Sequence, residues 1–454
     1  MKQSIDKQMF DLFSEAGYEL FLVGGSVRDR LLGITPDDTD YATDAPPGEV
    51  IDFLSDRGIK VIPTGMPYGT VTAIDPSSSE KVEITTFRSS EVYRRRSRKP
   101  VVQFGKSIME DLQRRDFTVN AMAMDSEGKL IDPFQGREDL DKRLLNTPGD
   151  PFDSFSDDPL RILRAYRFSA RLGFSLHQRV RKAARKLASG LDTVSAERKL
   201  KEMSALLTSL DGTVVVRSLA MMKEDGVLLR IVPELENLFV IDGLLQGRYH
   251  NSDVWHHSLR VVENVPPSDI LRWAALLHDS GKGLTRTVDE NGAPHFYGHE
   301  TEGRSLVESV AERLKFPRYL KRSVMLLVEN HMRPVLYDSK WSNSAVRRLV
   351  RQSGEQLDNL LVLAEADIKA HVPDFVEPAL ERLSELKARI KNQTSGRVIP
   401  REMGQKLSAL GFEGAVIGRV LEMLDDMAAD GLLPENPTVD QCFSALWEKQ
   451  ETEE

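Results

Sequence analysis

The chain has 454 residues, 40% of them hydrophobic and 29% charged, with a formal net charge of −9. This length is too great for one hydrophobic core, the composition excludes a largely disordered chain, and no apolar run is long enough to cross a bilayer. The single cysteine, Cys442, excludes an internal disulfide and a cysteine-based zinc site, so we expect a cytoplasmic protein.

Short apolar runs and helical stretches alternate over the first 150 residues, which is typical of an α/β or α+β region. Residues 19–23 predict a strand, residues 26–32 predict the start of a helix, and residues 81–86 predict a later strand. From residue 157 onward the pattern is helical almost without interruption. The sequence therefore predicts a mixed first domain followed by a mostly helical second half.

A glycine pair, Gly24 and Gly25, follows the first predicted strand and opens the next predicted helix. Glycines at such a turn let the backbone approach a phosphate, and the start of a helix offers free N–H donors. Arg28 adds a forked, charged donor. A simple strand-to-helix connection is the alternative, and the turn alone does not exclude it.

Two carboxylates, Asp38 and Asp40, lie two positions apart directly after this unit. In a strand such residues share one face, and their mutual repulsion favours a cation between them. Magnesium suits hard oxygen ligands and can share substrate phosphates, so the pair predicts a Mg²⁺-dependent phosphoryl-transfer site. Glu83, on a later predicted strand, is either a third acid near the metal or a surface residue.

Asp158, Arg161, Arg164 and Arg167 begin a predicted helix at a spacing that places them along one face. A carboxylate that accepts beside a guanidinium that donates matches the pairing edges of cytosine and adenine, whereas guanine and uracil present the opposite order. A salt-bridged helix start is the alternative interpretation. From Arg161 to Glu202, twelve Lys or Arg residues stand against three acids, which indicates either a polyanion site or a solvated helical face.

The helical half contains most of the nine histidines. His and Asp side chains together suit a transition metal or magnesium, which could activate water for attack on phosphorus. The apolar helix that ends at the adjacent His278 and Asp279 would carry such ligands to the edge of a helical core. For any one histidine, a structural role in the core is the alternative.

Together, the motifs of the first 200 residues resemble those of the class II tRNA nucleotidyltransferases, the family of CCA-adding enzymes and bacterial poly(A) polymerases. The resemblance rests on segments that occur in the order of the family: Leu22–Gly33 with Asp38–Asp40, Arg114–Ala121, Asp132–Gly136 with Asp139 and Leu140, Asp157–Arg161, and, more weakly, Ser195–Glu202. The family usually has Glu where this chain has Asp157, a change that keeps the charge.

This resemblance implies roles for particular residues. Asp38 and Asp40 would be catalytic and hold Mg²⁺, Arg115 and Asp116 would hold the phosphate and ribose, and Asp158 and Arg161 would select the base. The nucleotide-binding set would be Gly24, Gly25, Arg28, Arg115, Asp116, Asp158, Arg161, Arg164 and Arg167. The loop around residues 94–100 ends much as it does in full CCA enzymes, although enzymes that add only A also keep it.

The histidine pattern resembles the HD phosphohydrolase superfamily. The resemblance implies a divalent metal held by His257, His278, Asp279 and Asp367, with His299 and His331 as additional ligands, and a phosphodiesterase or phosphatase activity on nucleotide 2′,3′ ends. Only the family pattern selects His257 over His256 as the ligand.

The predicted fold class is α+β and multidomain: a polymerase-β-like nucleotidyltransferase head, then an all-α neck, HD body and tail. The boundaries are head 1–150, neck 151–240, HD domain 241–380 and tail 381–454. The predicted function is addition of C, C and A to the acceptor end of tRNA from CTP and ATP. Alternatives are a poly(A) polymerase, the A-adding half of a split system, or an HD hydrolase whose head only binds RNA.

Overall fold

The computed structural model describes residues 5–36, 38–75, 79–92, 101–105, 107–239, 253–393, 399–434 and 437–452. The chain forms two compact units: residues 1–233 with 313–315, and residues 234–312 with 316–454. The predicted loop at residues 94–100 lies outside the described residues. Among the residues described, no helix combines the length and apolarity that a membrane span needs.

A mixed sheet of seven strands forms the first part of the first unit, in the order β3-β4-β5-β2-β1-β8-β9. β1 pairs antiparallel with β2, and β2 pairs parallel with β5. The strands are β1 (Leu20–Val23), β2 (Thr39–Thr43), β3 (Lys60–Gly65), β4 (Thr70–Ile74), β5 (Lys81–Thr86), β6 (Arg88–Val92), β7 (Val101–Phe104), β8 (Ala123–Met124) and β9 (Leu130–Ile131); β6 and β7 form a separate ribbon.

Helices flank this sheet and bury its apolar side chains. Their bounds are α1 (Ile5–Ala16), α2 (Gly25–Leu31), α3 (Pro47–Asp56), α4 (Ile108–Gln113) and α5 (Gly136–Asp141). Val23, Ala42 and Ala123 from the neighbouring strands β1, β2 and β8 pack with Phe87 and Leu112 in one buried cluster. Burial of this cluster fixes these strands, and with them the polar residues at their ends.

The rest of the first unit is helical apart from a short parallel pair, β10 (Leu144–Leu145) and β11 (Ser175–Leu176). Gly173, in the left-handed conformation at φ 69°, ends the helix Leu160–Leu172. The helices are α6 (Pro151–Asp157), α7 (Leu160–Leu172), α8 (Gln178–Leu187), α9 (Ala196–Leu207), α10 (Gly212–Glu224) and α11 (Leu228–Ile231).

The second unit is almost entirely helical, with one small hairpin, β12 (Thr287–Val288) and β13 (Pro294–His295). The fold class predicted from the sequence is confirmed: a mixed α/β head is followed by a helical remainder. The helices are α12 (Glu236–Phe239), α13 (Val254–Asn264), α14 (Asp269–Leu277), α15 (Lys282–Thr285), α16 (His299–Leu314), α17 (Arg318–Asn330), α18 (Met332–Val335), α19 (Asn343–Ser353), α20 (Leu357–Lys369), α21 (Pro373–Gln393), α22 (Met403–Ala409), α23 (Ala415–Ala429) and α24 (Val439–Thr452).

The last three helices enclose a small core of their own. Met403, Leu407, Leu424 and Cys442 are buried together in it. The sole cysteine is therefore a core side chain in this structure. The core contains apolar side chains from all three helices, and these helices belong to the second unit.

Candidate functional site

A cavity of about 590 Å³ opens in the first unit where the sheet edge meets α7. Polar and charged side chains dominate its lining. It gathers every predicted head-site residue: Gly24, Gly25, Arg28, Asp38, Asp40, Glu83, Arg115, Asp116, Asp158, Arg161, Arg164 and Arg167. Residues more than 100 positions apart in the chain thus share one pocket of the size that a nucleotide needs.

The glycine turn between β1 and α2 permits a close approach of Arg115. Gly24 has φ 69°, and a Cβ there would lie 2.7 Å from the Arg115 Nη1 atom. The Gly24 N–H donates to the Met122 carbonyl at 3.2 Å, so this donor is already engaged. A glycine at position 24 therefore allows a positive φ at this turn and leaves room for the Arg115 side chain at the cavity wall.

Ser26, the second residue of α2, holds the segment that carries both predicted metal-binding acids. Its hydroxyl accepts from the Asp40 N–H at 2.9 Å and donates to the Asp38 carbonyl oxygen at 3.0 Å. Thr39 between them is buried, so the two acids lie on the opposite face, towards the cavity. The spacing argument from the sequence thus describes the local geometry.

Glu83 lies beside Asp40 because β2 and β5 pair in parallel with these two residues in register. Neighbours in register on adjacent strands point to the same face, and Glu83 lines the cavity. Burial raises the pKa of Asp40 to about 6; Arg115 opposes this shift, while Glu83 and Asp38 add to it. Such a crowd of acids favours a bound cation.

Arg115 is anchored by an acid that the sequence analysis did not single out. Asp111, on α4, accepts from Arg115 Nη2 at 2.8 Å and from Arg114 Nη2 at 2.7 Å. Burial raises the pKa of Asp111, but the two guanidinium groups outweigh it and lower the pKa to about 2. Arg114 and Arg115 follow Asp111 by three and four positions, and in a helix these spacings predict ion pairs, so the sequence contained a signal for this contact.

Asp116 is a buried carboxylate that links the head to α7. It accepts from Arg164 Nε at 2.8 Å and from Asn120 Nδ2 at 3.0 Å. Burial raises its pKa, but Arg164 and the Asn120 hydrogen bond hold the pKa well below its usual range. Asp116 is therefore an ionised acceptor that connects Asn120 to Arg164, another of the predicted nucleotide-binding residues.

The two predicted base-selecting residues line the cavity with partners inside the protein. Asp158 accepts from the Leu160 N–H at 3.1 Å and from Arg198 Nη2 at 2.8 Å. The Arg161 guanidinium donates to the Ser154 hydroxyl at 2.7 Å and to the Arg114 carbonyl at 2.6 Å. Both side chains are thus fixed in place.

Arg28 differs from its expected role as a phosphate donor. Its guanidinium is 4% exposed and donates to Asp29 at 2.8 Å and to the Asn120 Oδ1 atom at 2.7 Å. In this structure Arg28 donates to the Asn120 side chain, and Asn120 in turn donates to the Asp116 carboxylate. The sequence pattern showed the type of residue but not that its donors are directed inward.

A second polar cluster lies in the helical core of the second unit. Asp279 is at its centre: Oδ2 lies 3.2 Å from His278 Nε2, and Oδ1 lies 3.5 Å from His299 Nε2 and 3.7 Å from His331 Nε2. His257 Nε2 lies 2.9 Å from Asp367 Oδ1. The structure brings together all six residues predicted for the HD site, and each is buried.

The other ring nitrogen of three of these histidines faces a backbone carbonyl. The Nδ1 atoms of His278, His299 and His331 lie 2.9, 2.8 and 2.7 Å from carbonyl oxygens one turn earlier in the chain. An Nδ1–H that donates to a carbonyl leaves Nε2 as a lone-pair donor, which is how metal-binding histidines are held. Nε2 of each faces the cluster.

Two groups within this cluster have ligand atoms close enough together to hold a metal: His257, His278 and Asp367, and His278, Asp279 and His331. Burial lowers the pKa of His257 to about 4, an effect that Asp367 opposes, so the ring is neutral near pH 7. The neighbouring His256 is 62% exposed and pairs with Asp253. The structure places His257, rather than His256, in the cluster.

Lys282 and His371 also belong to the surroundings of this cluster, although the sequence analysis assigned neither a role. Lys282 Nζ lies 2.7 Å from Asp279 Oδ2, and the His371 ring lies 5.0 Å from the His257 ring. A buried ammonium beside the central aspartate balances part of its charge. The sequence shows that Asp279 and Lys282 are three positions apart, but it does not show that both side chains are buried.

Three family models match the chain. Residues 20–146 match the poly A polymerase head domain, residues 173–239 match the probable RNA and SrmB-binding site of polymerase A, and residues 249–370 match the HD domain. The first match contains Asp38, Asp40, Arg115 and Asp116 of the head cavity but ends before Asp158, and the last match contains the six residues predicted for the HD site. The head match lies in the first unit, and the HD match lies in the second unit apart from residues 313–315.

Similar proteins include a CCA-adding enzyme of Geobacillus sp. (strain WCH70), 42% identical over 231 residues, or 50% of this chain and 55% of that protein. That of Bacillus subtilis (strain 168) is 44% identical over 193 residues, or 42% and 47% of the two chains. The chain thus spans about half the length of the curated relatives it matches. A Bacillus stearothermophilus CCA-adding enzyme in complex with CTP has the same fold, with a TM-score of 0.70 and 25% identity over 100% of this chain and 99% of that one.

The head match and the shared fold identify a poly A polymerase head domain in the first unit. The relatives that match about half of this chain are named CCA-adding enzymes. The second half of the chain carries an HD domain.

Proposed function

We propose that this chain adds C, C and A to the 3′ end of tRNA, using CTP and ATP without a nucleic-acid template. The observation that carries the proposal is one cavity that holds both an acidic pair, Asp38 and Asp40, and an acceptor–donor pair, Asp158 and Arg161. The first pair suits phosphoryl transfer and the second suits reading of a base edge. The relatives named as CCA-adding enzymes support the same activity.

Asp38 and Asp40 would hold Mg²⁺ in the head. The fit is supported by the raised pKa of Asp40, to about 6, which arises from burial and from the neighbouring acids Glu83 and Asp38 and is relieved when a cation is bound. When bound, the ion neutralises the triphosphate and favours ionisation of the attacking 3′ hydroxyl. Ser26 keeps the segment that carries both acids in a fixed position.

Base selection follows from the hydrogen-bonding order of Asp158 and Arg161. Cytosine and adenine offer an amino donor beside a ring-nitrogen acceptor, which match a carboxylate and a guanidinium respectively. Guanine and uracil would set carbonyl against carboxylate and N–H against guanidinium. Each mismatch sets two acceptors or two donors against each other at a charged group, and this is why the wrong base is rejected strongly.

The RNA would be held by a basic helical surface in the first unit. Arg179, Lys182 and Lys186 are exposed on α8, within the residues that match the polymerase A RNA-binding model. Duplex RNA is recognised mainly by shape and through its phosphates, so an exposed row of cations on a helix is sufficient. Arg181 and Arg185 on the same helix are instead paired with Asp225.

The HD cluster would hold a divalent metal through His257, His278, Asp279 and Asp367, with His299 and His331 at the other oxygen of Asp279. The Nε2 atoms that face inward and the neutral rings support this fit. A metal held by these residues would supply activation of water for the hydrolysis of phosphate esters. We infer a phosphodiesterase or phosphatase activity on nucleotide 2′,3′ ends.

Other assignments give a poorer account of these two clusters. A poly(A) polymerase would share the head, but the complete set of HD ligands favours the tandem CCA enzymes. The A-adding half of a split system would share both the head and the HD ligands, so it is the nearest alternative. An HD hydrolase with a passive head leaves the acids at β2 and β5 unexplained. A cytoplasmic location stays a prediction from the cysteine content.

Equilibrium binding of the four nucleoside triphosphates tests the selection step. The full chain with Mg²⁺ and no RNA should bind CTP and ATP, and it should bind UTP and GTP about a hundredfold more weakly or worse, because the mismatched bases set a carbonyl against the Asp158 carboxylate and an N–H against the Arg161 guanidinium. Isothermal titration calorimetry measures all four. Equal binding of all four would show that neither residue reads the base.

A further inference from the structure

We propose that His295 and Tyr297, at the end of the small hairpin that precedes α16, form an aromatic platform for the base of the nucleotide whose phosphate lies at the HD cluster. The inference rests on the proposed HD activity, and it concerns the part of the substrate that the metal-binding residues leave uncontacted. It makes a ribonucleoside 2′,3′-phosphate, rather than any small phosphate ester, the preferred substrate class of that site.

The two rings of the platform are stacked on each other and held in place. The ring centroids of His295 and Tyr297 lie 5.3 Å apart, with 7° between the ring planes. Asp289 fixes the histidine, since its Oδ2 atom lies 3.0 Å from His295 Nε2. The pairing of Thr287 with His295 closes the hairpin itself. Tyr297 thus presents a ring whose orientation is already set, which lowers the entropic cost of stacking another ring on it.

The tyrosine ring of the platform is open to solvent. Tyr297 is 79% exposed, the largest fraction of any aromatic side chain among the residues that the structure describes. With His295 against one face of the ring, this exposure leaves the opposite face available to a planar ligand. Every nucleobase has a flat π-face, so such a platform binds the base by stacking and tolerates all four bases.

Phe296, between the two platform residues in the chain, connects the platform to the HD cluster. Its carbonyl oxygen lies 2.8 Å from His299 Nδ1, and its ring centroid lies 5.6 Å from Lys282 Nζ. Lys282 Nζ in turn lies 2.7 Å from Asp279 Oδ2. Tyr297 and His299 are two positions apart, so their Cα atoms are separated by at most about 7 Å. A nucleoside is long enough to reach from the platform to the cluster.

The HD cluster is least buried on the side of this hairpin. His299 and Lys282, the two residues that contact Phe296, are 6% and 7% exposed. The other five residues predicted to hold the metal are each 3% exposed or less. A substrate would therefore reach the metal-binding residues beside the hairpin, where the aromatic platform lies.

The experiment compares the unchanged full chain with Tyr297→Ala and Tyr297→Phe on two substrates. One is adenosine 2′,3′-cyclic phosphate, and the other is methyl riboside 2′,3′-cyclic phosphate, which has no base. The unchanged chain should have the lower KM for the adenosine compound. Tyr297→Ala should raise that KM roughly 10-fold, the size of a lost base–aromatic stack, and leave kcat and the base-free reaction unchanged. Tyr297→Phe keeps the ring and should keep the KM.

Tyr319→Ala is the matched control. Tyr319 is another exposed tyrosine of the second unit, but it lies in the first turn of α17 and accepts from Gln356 Nε2 at 3.3 Å. Its variant should hydrolyse both compounds as the unchanged chain does. Elemental analysis of the purified proteins should give the same metal content for both alanine variants and the unchanged chain.

Stacking also quenches the fluorescence of 2-aminopurine, which gives a readout that needs no catalysis. Titration with 2-aminopurine riboside 2′-phosphate should give less quenching in Tyr297→Ala than in the unchanged chain or in Tyr297→Phe. The head cavity has the same residues in all three proteins, so the difference between them reports the platform.

Three results would overturn the platform. Equal KM values for the two compounds in the unchanged chain would show that the base makes no contact. An unchanged KM in Tyr297→Ala, or an equal loss on both compounds, would show that Tyr297 does not bind the base. Hydrolysis of neither compound by the unchanged chain would refute the proposed HD activity itself, a result distinct from the other two because they both require turnover.

Discussion

Replacement of Asp40 by alanine is expected to lower nucleotide addition by about a thousandfold or more, with tRNA binding retained. Asp40 is the more buried of the two acids, and burial raises its pKa to about 6 against the pull of Arg115. Its removal would take away a principal metal-binding carboxylate. Incorporation of labelled CMP gives the rate, and a gel-shift assay gives RNA affinity.

Asp52→Ala is the control for this substitution. Asp52 is an exposed acid on α3 in the same domain, and it does not line the cavity. Its variant should incorporate CMP at the unchanged rate. Incorporation that survives in Asp40→Ala would remove Asp40 from the catalytic site and would contradict the assignment of the acidic pair.

Substitution of Asp279 by asparagine is expected to remove the HD activity and the metal, and to leave nucleotide addition intact. Asp279 touches both halves of the cluster, with Oδ2 near His278 and Oδ1 near His299 and His331. Loss of its charge should lower metal affinity and hydrolysis of a nucleoside 2′,3′-cyclic phosphate by at least about a hundredfold. Elemental analysis of the purified protein measures the metal without reference to activity.

Asp358→Asn provides the comparison because Asp358 is exposed near the start of α20, the helix that carries Asp367. It should retain metal and hydrolysis. Asp279 is 1% exposed and pairs with Lys282, so a melting temperature is needed to separate loss of the site from loss of the fold. If metal and hydrolysis both survive in Asp279→Asn, the assigned ligand set is wrong; if nucleotide addition falls as well, the two activities are not separate.

Local patterns in the sequence predicted the fold class and placed the candidate residues near the right elements. The pair Asp38 and Asp40 is two positions apart at the start of a strand, and the period of a strand is enough to put both on one face. The other residues of the predicted head site came from the family motifs. Those motifs name residues that are distant in the sequence and come together only in the tertiary structure. The six residues of the predicted HD site were named in the same way, and the structure buries all of them in one cluster.

The contacts that the sequence could not predict depend on register and on long-range pairing. Glu83 could be assigned to the site only once β2 and β5 were known to pair in parallel with Asp40 opposite it. Nothing local shows that Arg198 reaches Asp158 across 40 positions, or that Arg28 turns inward to Asn120. The charge pattern of the sequence indicates which residues are charged, whereas the packing of the folded chain determines which of them form hydrogen bonds or ion pairs with each other.

Product length on a tRNA that lacks its 3′ CCA tests the central proposal most directly. With Mg²⁺ and both CTP and ATP, the chain should add two C and then one A and stop; CTP alone should give two C. A long A tail from ATP alone, or a single A added only to RNA that already ends in CC, would contradict it.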